Sequence, residues 1–144
     1  FGAPDIDAPA LLAKMQAIAP DWLAGCKLRP CWFEPTFHKH SGQLCSGLQI
    51  HVDDAGYRHE AFRPWRLVAL AFKALRALSP GYPLWRDFPY EYETGKLAID
   101  VINGGPLLRE WVDDAAATPG DLDALALKDE AAWHESRQPC LLYR

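Results

Sequence analysis

The residues best suited to chemistry gather in one polar stretch, His38-Lys39-His40-Ser41-Gly42-Gln43, with His51 a few positions on. Imidazoles beside an ammonium can act as a general base or as a contact to an anion. In a polar loop the same residues also serve as ordinary solvated groups. Carboxylates offer a second candidate, because Glu91 and Glu93 lie two apart in Pro89-Tyr90-Glu91-Tyr92-Glu93. On one strand face that spacing is roughly 6.5–7 Å, within the about 6.5–9.5 Å used in inverting sugar hydrolysis. Parallel side chains on one face do not oppose each other across a substrate, so a solvated edge is the plainer reading. Ser41 and Ser46 have no Asp–His partner that the sequence identifies, and GxSxG, GxGxxG and P-loop patterns are absent. Cys26, Cys31, Cys45 and Cys140 allow two disulfides in any of three pairings. No CxxC occurs, and Cys26 and Cys31 with His38 and His40 fit no standard zinc spacing. Buried free thiols are the simpler account.

The elements that must hold these groups follow from periodicity. Leu44, Ser46, Leu48, Ile50 and Val52 alternate with Cys45, Gly47, Gln49 and His51. This predicts a strand over 44–52 with the first set on a core. Gln49 and His51 then line up on the other face with the polar loop. Asp53-Asp54-Ala55-Gly56 turns the chain. Upstream, 26–37 reads as an irregular strand, confined to an edge by Pro30 and Pro35, that pairs with 44–52 as a hairpin. Asp7 caps a helix over 8–19 with Pro9 in its first turn. Pro64 opens a helix over 65–78, apolar enough to be buried on more than one side. The aromatic stretch 84–102 reads as strand, with the tyrosines and glutamates of 89–93 on opposite sides and a second short apolar piece at 96–102. Helices over 107–117 and 122–137 and a short apolar strand at 139–143 complete the chain. The expected class is α+β: one domain with a small, largely antiparallel sheet packed with about four helices.

The whole chain narrows the function classes. Its 144 residues suit one domain, and 49% hydrophobic with 24% charged residues is an ordinary globular balance. A net charge of -4 without a basic cluster argues against nucleic acid. No apolar run reaches the roughly 18 residues of a membrane helix, so no membrane partner is expected. With no signal peptide and a start at Phe1, the chain reads as a piece of something longer or a processed product. Trp32, Phe33, Phe37, Trp85, Tyr90 and Tyr92 fall near the polar loop and the 89–93 stretch in sequence. Aromatic faces beside amides and carboxylates suit sugar rings, although core packing explains any one of them.

Phe1-Gly2-Ala3-Pro4, the run FEPTFHKHSGQLCSGLQIHVDD at 33–54, LWRDFPYEYE at 84–93, AIDVINGG at 98–105 and the terminal LLYR occur in one order. In these stretches the chain resembles the C-terminal part of the bacterial DUF1343 family, which includes exo-acting β-N-acetylmuramidases. The resemblance implies a smaller domain packed on an N-terminal Rossmann-like domain that carries the main catalytic carboxylate. It implies a cleft between the two that releases terminal N-acetylmuramic acid from peptidoglycan fragments, with no metal or organic cofactor. The expected partners are a peptidoglycan-derived muramyl saccharide and that N-terminal domain; without the latter the chain should be inactive. By the same resemblance the substrate-binding candidates are Thr36, Lys39, His40, Gln43, Gln49, Glu91 and Tyr92, with no catalytic residue among them. Lys39 or His40 would meet the lactyl carboxylate of the sugar. The alternative is a non-catalytic module for cell-wall sugar or for a protein.

Overall fold

Two glycines let the sheet close. In the computed structural model, which describes residues 1–143, β1 (Gly2–Ala3) lies antiparallel to β3 (Cys45–His51) with Gly2 facing Gly47. A Cβ on Gly47 would fall 2.0 Å from the Phe1 carbonyl oxygen, and one on Gly2 would fall 2.4 Å from that of Ser46. Such close backbone approach requires glycine on both strands. On the other side of β3, β2 (Lys27–Phe33) pairs antiparallel from Lys27 opposite His51 to Phe33 opposite Cys45, so the order is β1-β3-β2. Pro30 lacks an amide donor and is accommodated because β2 is an edge. The hairpin and its edge proline are those the sequence predicts.

One face of the sheet is covered by a helix, on which a second helix packs. Asp7 caps α1 (Ala8–Ile18) by accepting from the Ala10 amide at 2.9 Å, with Pro9 in the first turn. The Ala8 amide donates to the buried Ser46 hydroxyl at 3.2 Å, which pins the helix start to β3. Leu11 and Met15 of α1 and Leu48 of β3 are buried, together with Leu67 and Leu70 of α2 (Pro64–Leu78). Burial on α2 extends from Leu67 and Ala69 round to Lys73 and Ala74, as its near-continuous apolar surface predicts.

The chain divides into two compact units, Phe1–Arg86 and the residues from Asp87 on. The sheet, α1 and α2 belong to the first. The second holds α3 (Ala98–Asn103), α4 (Leu107–Asp113) and α5 (Pro119–Ser136). Its core is Ala98, Leu108, Trp111, Val112 and Leu122. Arg109 grips Asp100 through Nε and Nη2, both at 2.9 Å, and so ties α4 to α3. The Thr118 amide donates to Asp121 at 2.7 Å within a capping box that starts α5. With a three-stranded antiparallel sheet and these helices, the fold class is α+β.

Two expected strands, over 84–102 and 139–143, are not formed. The 89–93 stretch makes only a bridge between Tyr90 and Glu93, because Glu91 and Tyr92 take positive φ and turn the chain back on itself. The apolar piece at 96–102 is largely the helix α3, stopped by Gly104 in the left-handed region at φ 79°. The 139–143 segment begins in a 3-10 turn, Gln138–Cys140, and pairs with no strand. Leu44 and Val52, expected on the core, are 64% and 48% exposed, since α1 covers β3 only along its middle.

Candidate functional site

Residues 34–44 join β2 to β3 and carry four of the expected site residues, Thr36, Lys39, His40 and Gln43, all exposed. The loop is held by its own backbone. Gly42 donates to the Pro35 carbonyl at 2.9 Å and Gln43 to that of His40 at 3.0 Å. His38 and His40 have φ values of 59° and 60°, a region that residues with a Cβ occupy only at some expense. The His38 ring meets the edge of Phe37 at 5.1 Å. Strain of this sort persists where the surroundings over-determine it, and it gathers at functional sites.

His40 also lines a groove of about 470 Å³ floored by Leu11, Ala71, Phe72 and Leu75. Tyr82 stands at its edge and donates to Asp5 Oδ1 at 3.0 Å. Burial, and then the hydrogen bond to the neighbouring Asp5 carboxylate, push the Tyr82 phenol above its ordinary value. Arg76 fixes this segment by donating to the Pro80 and Tyr82 carbonyls at 2.9 and 2.8 Å.

Gln49 does not join the loop. It sits six residues along the strand from Gln43, about 20 Å at strand rise. Its side-chain oxygen accepts from Arg29 of β2, directly opposite. Arg29 also donates to His51 Nε2 at 3.4 Å, while His51 Nδ1 faces Asp53 at 3.3 Å. The amide and imidazole expected in line with the loop are thus occupied in a separate polar row on the sheet.

Glu91 and Tyr92 lie in the second unit, at the two central positions of the turn closed by Tyr90 and Glu93. Backbone bonds of 3.2 and 2.9 Å run both ways between those two residues. The φ values, 49° and 67°, are those of a type I′ hairpin turn, where Asn-Gly is the usual pair. Glu91 is exposed, and Tyr92 projects at 102% exposure. The Glu91/Glu93 pairing on one strand face is overturned by the same geometry. Glu93 Oε1 accepts from the Gly95 amide at 3.0 Å and Oε2 meets Lys96 at 3.5 Å. The Gly95 bond first, then Lys96, hold its carboxyl below the ordinary glutamate value. Glu93 therefore serves the turn as a fixed carboxylate.

Several other candidates resolve locally. Ser46 is a buried helix anchor, not a nucleophile. The four cysteines are free thiols. Among the described residues no three His, Cys, Asp or Glu side chains gather as metal ligands, so Cys26, Cys31, His38 and His40 do not form a metal set. Among the described residues no helix is long and apolar enough to cross a membrane. Sequence spacing gives no sign of Arg29, Asp5 or Tyr82, whose partners lie 20 and 77 residues away.

Fold and site together define an α+β domain that presents polar loops from rigid supports. The chain belongs to the family described as exo-beta-N-acetylmuramidase NamZ, C-terminal, whose model matches residues 1–143. It is similar to the peptidoglycan beta-N-acetylmuramidase NamZ of Bacillus subtilis (strain 168), at 26% identity over 143 residues. That alignment covers 99% of this chain and 31% of the relative, so the chain spans about a third of that protein's length. No solved structure matches the chain.

Proposed function

We propose that this domain forms one wall of the saccharide cleft of an exo-acting β-N-acetylmuramidase and is inactive alone. The observation that carries the reading is the match to the C-terminal family along 1–143 with only 31% of the relative covered. Bond breaking then belongs to an N-terminal domain, and this chain positions the sugar. Positioning is itself a large contribution to rate, because a group held in place removes the entropy of finding it. The 34–44 loop suits that role. Lys39 and His40 offer charge-assisted contact to the lactyl carboxylate of a muramyl saccharide, and Thr36 and Gln43 offer hydrogen bonds to hydroxyl and acetamido groups. Glu91 and Tyr92, in the second unit, are exposed groups able to meet a saccharide on their own account. Gln49 is engaged by Arg29 in the separate polar row on the sheet.

Mixing the chain with the separately produced N-terminal part of its full-length protein should restore hydrolysis of a chromogenic N-acetylmuramic acid glycoside. Lys39→Ala should lower the restored rate about tenfold. Hydrolysis by the chain unaided would end this division of labour. The exposed Trp32 and Phe37, at 61% and 71%, favour a second reading: a non-catalytic module for cell-wall sugar. Sugar binding without any restored hydrolysis would select it.

A further inference from the structure

We propose that the uncovered end of the helix-facing side of the sheet is a subsite for a neutral pyranose, with the Trp32 indole as its platform. This rests on the cleft reading only in taking a saccharide as the ligand. Trp32 faces the helix side opposite Ser46, and Leu44 lies diagonal to it on the same face. They are 61% and 64% exposed. With Pro4, Asp5, Asp7 and Pro9 they line an open hollow of about 560 Å³. Trp32 has no hydrogen-bond or ring partner among the described residues, so its face is available to the C–H groups of a sugar ring.

The hollow is preformed. Ala3 of β1 and Trp32 of β2 both pair with Ser46 of β3, and the Ser46 hydroxyl receives the first amide of α1. All three strands and the helix start are therefore locked at one residue, and two of the lining positions are prolines. A ligand would order little on binding, which favours affinity from a small contact.

Charge decides which sugar. The polar groups of the hollow include the carboxylates of Asp5 and Asp7, and no lysine, arginine or histidine lines it. Asp5 Oδ1 accepts from Tyr82 and Asp7 Oδ1 from the Ala10 amide, leaving the second oxygen of each to accept from sugar hydroxyls. A sugar bearing its own carboxylate would be repelled there, whereas the 34–44 loop carries Lys39 and His40. A protein partner fits less well. A stable interface buries about 800 Å² per partner, and this hollow offers two exposed apolar side chains and two prolines.

The test is a titration of the chain with chitotriose, and separately with N-acetylmuramic acid, following the tryptophan indole N–H signals by NMR. The Trp32 signal is assigned with Trp32→Phe, which also retains a flat ring. Chitotriose should shift the Trp32 signal, N-acetylmuramic acid at equal concentration should leave it in place, and Trp32→Ala should weaken chitotriose binding about tenfold. A Trp32 signal that ignores chitotriose, or that follows the acidic sugar equally, overturns the inference. So does a Trp32→Ala variant that binds chitotriose normally but no longer associates with the N-terminal part, because the surface is then a protein contact. A silent Trp32 with hydrolysis still sensitive to Lys39→Ala removes this subsite and leaves the cleft reading intact. The converse result removes the cleft reading and leaves the subsite.

Discussion

The 34–44 loop and the Tyr90–Glu93 turn solve one problem in two ways. Each holds two residues with side chains at positive φ, His38 and His40 in the first, Glu91 and Tyr92 in the second. In the loop the strained residues are separated by Lys39, and the loop's ends continue into the seven residue pairs that register β2 against β3. In the turn they are adjacent, and the only pairing around them is the bridge between Tyr90 and Glu93. A side chain at positive φ costs about 1–2 kcal/mol. The loop adds to its own backbone bonds the support of the sheet into which both its ends run. The turn depends on Glu93 accepting from Gly95 and reaching Lys96. Loop geometry should therefore follow the state of the sheet, and turn geometry should be set locally.

The largest way to break the comparison is to attack the sheet. Gly47→Ala puts a methyl group where the Phe1 carbonyl stands at 2.0 Å, and only backbone movement relieves that. The expected loss is about 3 kcal/mol, with hydrogen-exchange protection falling across β1, β3 and the 34–44 loop. The amides of α4 and of the turn should keep their protection. Loss of protection in both units together would show that they fold as one and remove the distinction drawn here. A smaller effect is expected from Ser46→Ala, which leaves the Ala8 amide without its buried acceptor. Loss of that cap should cost about 1–2 kcal/mol, read as a lower denaturant midpoint with an unchanged slope.

Both substitutions fall in the region where the sequence is most informative. Alternation through Leu44–Val52, the proline in β2 and the Asp7 cap identify the hairpin and α1, because each signal is local and rests on backbone geometry. The same alternation misleads at 89–93. Four or five alternating residues look alike whether the chain runs straight or doubles back, and no Asn or Gly marks the turn. The helix α3 is hidden for a related reason: its β-branched residues favour a strand, while the Asp100–Arg109 grip that favours the helix spans nine residues. The stretches Phe1-Gly2-Ala3-Pro4 and Cys45-Ser46-Gly47 read as independent motifs. They are one contact, Gly2 against Gly47. Of the site candidates, the loop residues are legible because a polar run between two strands has only one place to go. The engagement of Gln49 by Arg29 depends on strand register, which composition does not encode.

The smallest expected effect sharpens the comparison most. Replacing Glu91-Tyr92 with Asn-Gly keeps the type I′ turn, eases the steric expense of positive φ at the first position and removes it at the second. If the strain is real, the variant is more stable by about 1 kcal/mol, visible as a raised thermal midpoint of the second unit. Tyr92 is so exposed that the strain it carries gains nothing in packing. On the proposed saccharide-binding role of Glu91 and Tyr92, the stabilised variant should be slower in the reconstituted assay, with a raised KM. Glu91→Asn alone, which eases one position and leaves Tyr92 in place, should fall between the two in both measurements. A variant that gains stability and keeps full activity would make the turn a structural accident and confine the sugar-facing wall to the loop on the sheet.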